Sequence, residues 1–199
     1  FLAPIKMTMV PEIIDMDMPV EGVFHNLVIT KISKEYAGQG QKVMNAMWGA
    51  GQMMFNKILV IADEGSSITN YRELAKYVFK NLNPVTDIYF SQGPMDVLDH
   101  SCSKLGFGGK MCLDGTLKQD EEKDNRYYWS TDDSPWTADN GVKFIQQIKG
   151  WLPEIKAMNS SLVENEITCL IIAVEKKRKG HIKALHEQLC ALRQFDLAG

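Results

Sequence analysis

A chain of 199 residues with 45 % hydrophobic and 24 % charged residues has the make-up of an ordinary globular protein. At that length it can bury roughly two-thirds of its unfolded surface, so folding requires neither a disulfide nor a metal. A formal charge of −3 supplies no general attraction for nucleic acid or anionic lipid, which disfavours both as partners.

Cys102, Cys112, Cys169 and Cys190 are widely spaced, with no C-x-x-C pair and no histidine at zinc spacing. They are read as the reduced thiols of an intracellular, cytoplasmic protein. The longest apolar runs, Ile58–Ala62 and Leu170–Val174, are far shorter than a transmembrane segment needs. No signal peptide is evident, and Phe1 in place of a methionine reads as a processing or cloning boundary.

In chain order, Leu27–Ile32 is β-branched and apolar and predicts a strand. Gly38 breaks the chain, after which Val43, Met44, Met47 and Trp48 recur at helical spacing. Lys57–Ala62 predicts a second, buried strand. Asn70 is a candidate N-cap with Glu73 three residues on, followed by a helical face of Leu74, Ala75, Val78 and Phe79. Asn83-Pro84 stops that helix, and Asp87–Phe90 predicts a third strand. The alternation argues for a three-layer α/β/α fold with a mostly parallel sheet over residues 1–128.

Residues 106–109 are glycine-rich and read as a loop, and the polar stretch 118–125 reads as a linker. Residues 136–158 predict one or two helices, with Phe144, Ile145, Ile148 and Trp151 on one face and Pro153 opening a new helix. Residues 129–199 are therefore read as a helical and strand–turn–helix extension. Within it, 171–189 aligns without gaps on 29–47: Ile29 with Ile171, Lys34 with Lys176, Gly38 with Gly180, Val43 with Leu185 and Met47 with Leu189. The constant offset of 142 fits a duplicated unit, or independent reuse of a common α/β pattern. If it is a repeat, the strand equivalent to the one at Lys57 starts at Gly199, and the extension is truncated there.

Gly106-Phe-Gly-Gly-Lys110 could bring backbone and a lysine to a phosphate, although plain loops also have this composition. It is not a Walker A loop, because Lys104 and Met111 stand where glycine and Ser/Thr are required. Asp96, Asp99 and His100 bring two carboxylates and an imidazole together, with Asp96 and Asp99 on one face if the segment is helical. A capped helix start after Pro94 explains Asp96 without chemistry. His181 and His186 are five apart, unsuited to a helical zinc pair, and Lys176–Lys179 reads as a solvated basic turn.

Four segments taken together, PEIIDMDMPVEGVFHNLVITKISKEYAGQGQKVMNAMWG, NKILVIADE, GPMDVLDHS and FGGKMCLDGT, resemble the C-terminal domain of the UbiD family over about residues 5–118. These are the 3-octaprenyl-4-hydroxybenzoate carboxy-lyase-like decarboxylases. Ala37-Gly38-Gln39 departs from the family's usual Pro-Gly-His turn.

The resemblance implies reversible, non-oxidative decarboxylation of an aromatic or α,β-unsaturated acid, commonly in quinone (ubiquinone or menaquinone) biosynthesis. It implies prenylated FMN held with a divalent metal (Mn or Mg) and potassium. The catalytic glutamates and arginine and the metal ligands of the family lie upstream of the matching region, so no catalytic or metal-binding residue is assigned here. One cofactor contact carries over: the lysine that reaches the flavin phosphate falls on Lys110. Asp114 and Thr116 would steady the same segment or line the cleft.

The chain is then expected to supply a cleft wall and a homo-oligomer interface, to need the upstream domains of its own protein, and to be inactive alone. The alternative is a non-catalytic assembly or mononucleotide-binding module with the same fold.

Overall fold

The computed structural model describes residues 2–23, 26–49, 51–102, 104–123, 148, 150, 152–167 and 169–196. The chain divides into two compact units, Phe1–Trp129 and Ser130–Gly199.

In the first unit, helix α1 (Leu2–Thr8) leads into β1 (Ile13–Asp17) and β2 (Leu27–Ile32). Then follow α2 (Gln39–Trp48), β3 (Ile58–Asp63), α3 (Tyr71–Asn81), β4 (Ile88–Pro94) and β5 (Phe107–Asp114). The sheet order is β1-β2-β3-β5-β4. Its centre, β2-β3-β5, is parallel, and each edge strand, β1 and β4, pairs antiparallel.

Both faces of the sheet are covered, which explains why β2 and β3 read as continuous apolar runs. Period-2 alternation sends Val28, Ile32, Leu59, Ile61 and Cys112 to one face, where they meet Val43, Met44 and Met47 of α2. Ile29 and Ala62 point the other way, against Leu74 and Val78 of α3. The chain is therefore α/β with three layers, as expected, but the sheet is mixed.

Asn70 caps α3 as its sequence position predicts: its side chain accepts from Glu73 N at 3.3 Å. Other local expectations fail for identifiable reasons. The glycine-rich 107–109 segment is not a loop but the start of β5, paired with Gln92, Gly93 and Pro94. Gly108 packs closely there: a Cβ would lie 3.2 Å from Cys102 Sγ and 3.3 Å from Met95 Cγ.

The segment after Pro94 forms turns, so Asp96 and Asp99 share no helical face. Asp96 Oδ1 accepts from Leu98 N at 2.7 Å, and Asp99 Oδ1 accepts from Ser101 N at 2.9 Å. Of the 118–125 stretch read as a linker, the described part, 118–123, is tied to the first unit, since Lys118 and Glu122 pair with its buried Asp87, Asp114 and Lys34 side chains.

In the second unit, β6 (Ile155–Asn159) pairs antiparallel with β7 (Ile171–Val174). Between them lies the short helix α4 (Ser161–Glu164), and α5 (His181–Asp196) follows. Ile148, Leu152, Ile155 and Leu185 form its core. Pro153 opens a turn into β6 rather than a new helix. Phe144, Ile145 and Trp151 lie outside the described residues.

Candidate functional site

Lys110 is central in β5, opposite Ser91 of β4, with its side chain on the α2 face. The stem runs past Gly93, where a Cβ would approach Lys110 Cε to 3.1 Å. The side chain is only 4 % exposed. Its ammonium donates to Met54 O at 2.6 Å and Asn56 O at 2.5 Å, and lies 5.9 Å from the centroid of the Trp48 ring.

These partners come from two adjacent features. Trp48 ends α2, and the 3₁₀ turn at Gly51–Phe55 leads to Asn56, just before β3. Asn56 is fully buried. Its Oδ1 accepts from Trp48 Nε1 at 3.2 Å, while Nδ2 has no hydrogen-bond partner among the described residues.

The donor balance of this cluster is uneven. Two of the three ammonium protons of Lys110 go to neutral carbonyls, and no carboxylate among the described residues pairs with it. Burial pushes its pKa down from the usual lysine value to about 8. An unbalanced cation beside an unspent amide donor suits an anion, because a negative group would compensate both at once.

Asp99 does not join this cluster as a general acid. Its carboxylate takes a 2.7 Å ion pair from Lys57 together with the Ser101 hydroxyl, which also meets Lys57. Burial alone would push Asp99 up, but Lys57 and the Ser101 donors hold it well below the usual carboxylate range. It is therefore a structural anion.

In α/β folds the C-terminal ends of the parallel strands are the usual ligand side. Here that end is closed by a network of charges. Asp114 Oδ1 accepts from Thr116 N at 3.1 Å and Thr116 Oγ1 at 2.6 Å, with Lys118 at 3.3 Å. Asp63 takes the Tyr77 hydroxyl and Leu117 N. Lys34, whose side chain is 4 % exposed, meets Glu122 at 2.6 Å and Thr116 Oγ1 at 3.0 Å.

Asp114 and Thr116 thus tie the end of β5 into this network. Asn56 was missed from the sequence, since a lone asparagine before an apolar strand carries no periodic signal. His181 Nδ1 is spent on Lys177 N at 3.1 Å. No group of three or more metal-ligating side chains occurs among the described residues. No helix among them is long and apolar enough to cross a membrane.

The opposite face carries an apolar cavity of about 380 Å³, lined in part by Ile29, Val60, Leu74, Val78 and Leu113. Its polar lining residues are Glu21 and Tyr71, and the Tyr71 hydroxyl donates to Asp17 Oδ2 at 2.8 Å.

The model of the 3-octaprenyl-4-hydroxybenzoate carboxy-lyase C-terminal domain matches residues 1–115. The chain belongs to that family. The UbiD-type segment so identified contains Lys110, Asn56 and Trp48, the whole of the cluster described above.

Relatives extend the match. A protein of Archaeoglobus fulgidus is 41 % identical over 120 residues, 60 % of this chain and 25 % of its own length. One from Helicobacter pylori is 34 % identical over 182 residues, covering 90 % of this chain and 27 % of its own. The chain spans about a quarter of the curated relatives it matches.

Among solved structures, the fold resembles vanillic acid decarboxylase of Sedimentibacter hydroxybenzoicus in its open form. There the TM-score is 0.54 at 23 % identity, over 73 % of this chain and 31 % of that one. It also resembles the UbiD-class enzyme HmfF of Pelotomaculum thermopropionicum in complex with FMN. That comparison gives a TM-score of 0.53 at 18 % identity, over 69 % and 29 % of the two chains.

Proposed function

We propose that this chain is the C-terminal part of a prenylated-FMN-dependent aromatic acid decarboxylase, in which it supplies one wall of the cofactor cleft and one phosphate contact. The observation that carries this reading is Lys110: a buried ammonium with no carboxylate partner among the described residues, set beside the unspent Asn56 amide in a UbiD-type domain. When bound, the prenylated flavin would supply the electron sink for loss of CO2. The chain's own contribution is narrower. Lys110 would neutralise part of the phosphate charge, while Met54 O, Asn56 O and the Trp48 ring hold the ammonium in place.

A single cation does not make a flavin site, so the remaining contacts, the divalent metal and potassium are assigned to upstream domains. The antiparallel edge at β4 fits the interface role. Phe90 on that strand is exposed, as are Val97, Leu98 and Leu105 in the stretch leading to β5. Apolar side chains of this size in water mark a surface that packs against another domain or a second copy. A cytoplasmic setting and a place in quinone biosynthesis belong to the same reading.

The test uses the full-length protein reconstituted with prenylated FMN and a panel of aromatic acids. The expected result is turnover by the full-length enzyme, none by this chain alone, and Lys110→Ala retaining several-fold less flavin. Turnover or tight flavin binding by this chain alone would favour the self-contained mononucleotide-binding module instead.

A further inference from the structure

The second unit repeats the first at a constant spacing. β1 and β6 are 142 residues apart at both ends, and β7 starts and ends 142 residues after Ile29 and Ile32. The register is the same. Ile13↔Ile32, Asp15↔Lys31, Met16↔Thr30 and Asp17↔Ile29 recur as Ile155↔Val174, Ala157↔Ala173, Met158↔Ile172 and Asn159↔Ile171, with the irregularity after the first pair in both.

Local bonds recur with it. Ile13 N donates to Val10 O at 3.1 Å and Ile155 N to Leu152 O at 3.0 Å; Ser33 N donates to Glu12 O and Glu175 N to Glu154 O, both at 2.9 Å. Gly38 and Gly180 each turn into their helix at φ 77°. Gln39 Oε1 then accepts from Glu35 N, and His181 Nδ1 accepts from Lys177 N, the same side-chain-to-backbone bond made by different chemistry. Independent reuse of an α/β pattern accounts for a strand, a turn and a helix. It does not account for a shared bulge and shared turn bonds at one offset.

The copy is incomplete where the first unit is complete. β2 is flanked by β1 on one side and by parallel β3 on the other, whereas among the described residues β7 pairs only with β6. Ile29 is 4 % exposed beneath α3, while its equivalent Ile171 is 54 % exposed. Lys34 is buried against Glu122 and Thr116, while its equivalent Lys176 is exposed.

We infer that residues 152–196 are the first part of a second UbiD-type domain, and that the open edge of β7 takes a parallel strand from the polypeptide that follows Gly199. The occupant is indicated by the first unit, in which β3 begins at Ile58; the same offset places its counterpart immediately after Gly199. The Helicobacter pylori match, which covers 90 % of this chain, includes most of the second unit and occupies 27 % of a longer protein. The completed domain buries Ile171 under a helix equivalent to α3. Ile182, 51 % exposed, stands where Gly40 packs on Asp114 in the first unit.

The test is native thiol labelling of full-length protein carrying Ile171→Cys, with Lys183→Cys as the exposed reference. Lys183 is suitable because its side chain is 82 % exposed and its equivalent Gln41 is exposed as well. The expected result is labelling at Ile171→Cys at least about a hundredfold slower than at the reference, since a covered thiol reacts only through local opening.

Equal rates overturn the inference, as does a coding frame that ends at Gly199. Protection that disappears on dilution assigns the edge to another copy and overturns it too. Two prolines placed among the six residues after Gly199 remove strand donors. They are expected to raise labelling at Ile171→Cys towards the reference rate, and unchanged protection overturns the inference.

Discussion

Gly40, in the first turn of α2, lies directly against Asp114 at the end of β5: a Cβ there would come 2.6 Å from the carboxylate carbon. The carboxylate has little freedom to retreat, because Oδ1 is held by Thr116 N, Thr116 Oγ1 and Lys118. Gly40→Ala must therefore move the helix or break that set. The expected cost is roughly 1–3 kcal/mol, the range for overpacking a filled site, measured by urea unfolding. A loss below a few tenths would mean that Asp114 rotates away freely.

Lys34 and Glu122 give a second prediction. Burial would push Glu122 up, but Lys34 and the N–H groups of Gly38 and Gln119 outweigh it and hold it below the ordinary glutamate value. A depressed carboxylate stabilises the fold fully above its unfolded pKa, near roughly pH 4.3, and the gain is lost as pH falls through the folded value. Glu122→Gln leaves the Lys34 ammonium, with its side chain 4 % exposed, without its counter-ion. The expected loss at pH 7 is about 3 kcal/mol, shrinking on acidification as wild type also loses the charge.

Which parts of this were legible in the sequence follows from how each element is stabilised. β2 and β3 declared themselves because both faces are buried, and such strands are apolar throughout. The α3 start was legible because an N-cap is a local bond between residues three apart. Asn70→Ala should accordingly cost about 1 kcal/mol in thermal or denaturant unfolding.

β5 was hidden by its two glycines, of which Gly108 packs against Met95 and Cys102, contacts set by tertiary structure. β6 was hidden by Pro153, which suits a helix start and a turn equally well. At the candidate site, the glycine-rich pattern made Lys110 a possible phosphate contact, and the family resemblance strengthened that reading. Asn56 and Trp48 became visible only when the fold placed a turn and a helix end beside it.

Lys110 gives the prediction that bears most directly on function. Its folded pKa of about 8 lies below the unfolded lysine value of roughly 10.4. Below pH 8 both states carry the proton, and the folded protein bears the full cost of burying the charge. Between these values the native state has released the proton while the unfolded chain keeps it, so stability rises with pH. Lys110→Met keeps the bulk of the side chain and removes the titration. The difference in unfolding free energy between wild type and variant should therefore shift in favour of wild type on going from pH 8 to pH 10. The slope should be at most about 1.4 kcal/mol per pH unit. Taking the difference cancels the buried Cys112 thiol, which burial pushes up and which titrates with the opposite sign in both proteins. An anion beside the ammonium would raise its pKa again, so phosphate-dependent stabilisation of the full-length protein should weaken above pH 8 in wild type and lose that dependence in Lys110→Met. A parallel pH response in the two proteins would separate Lys110 from the phosphate site altogether.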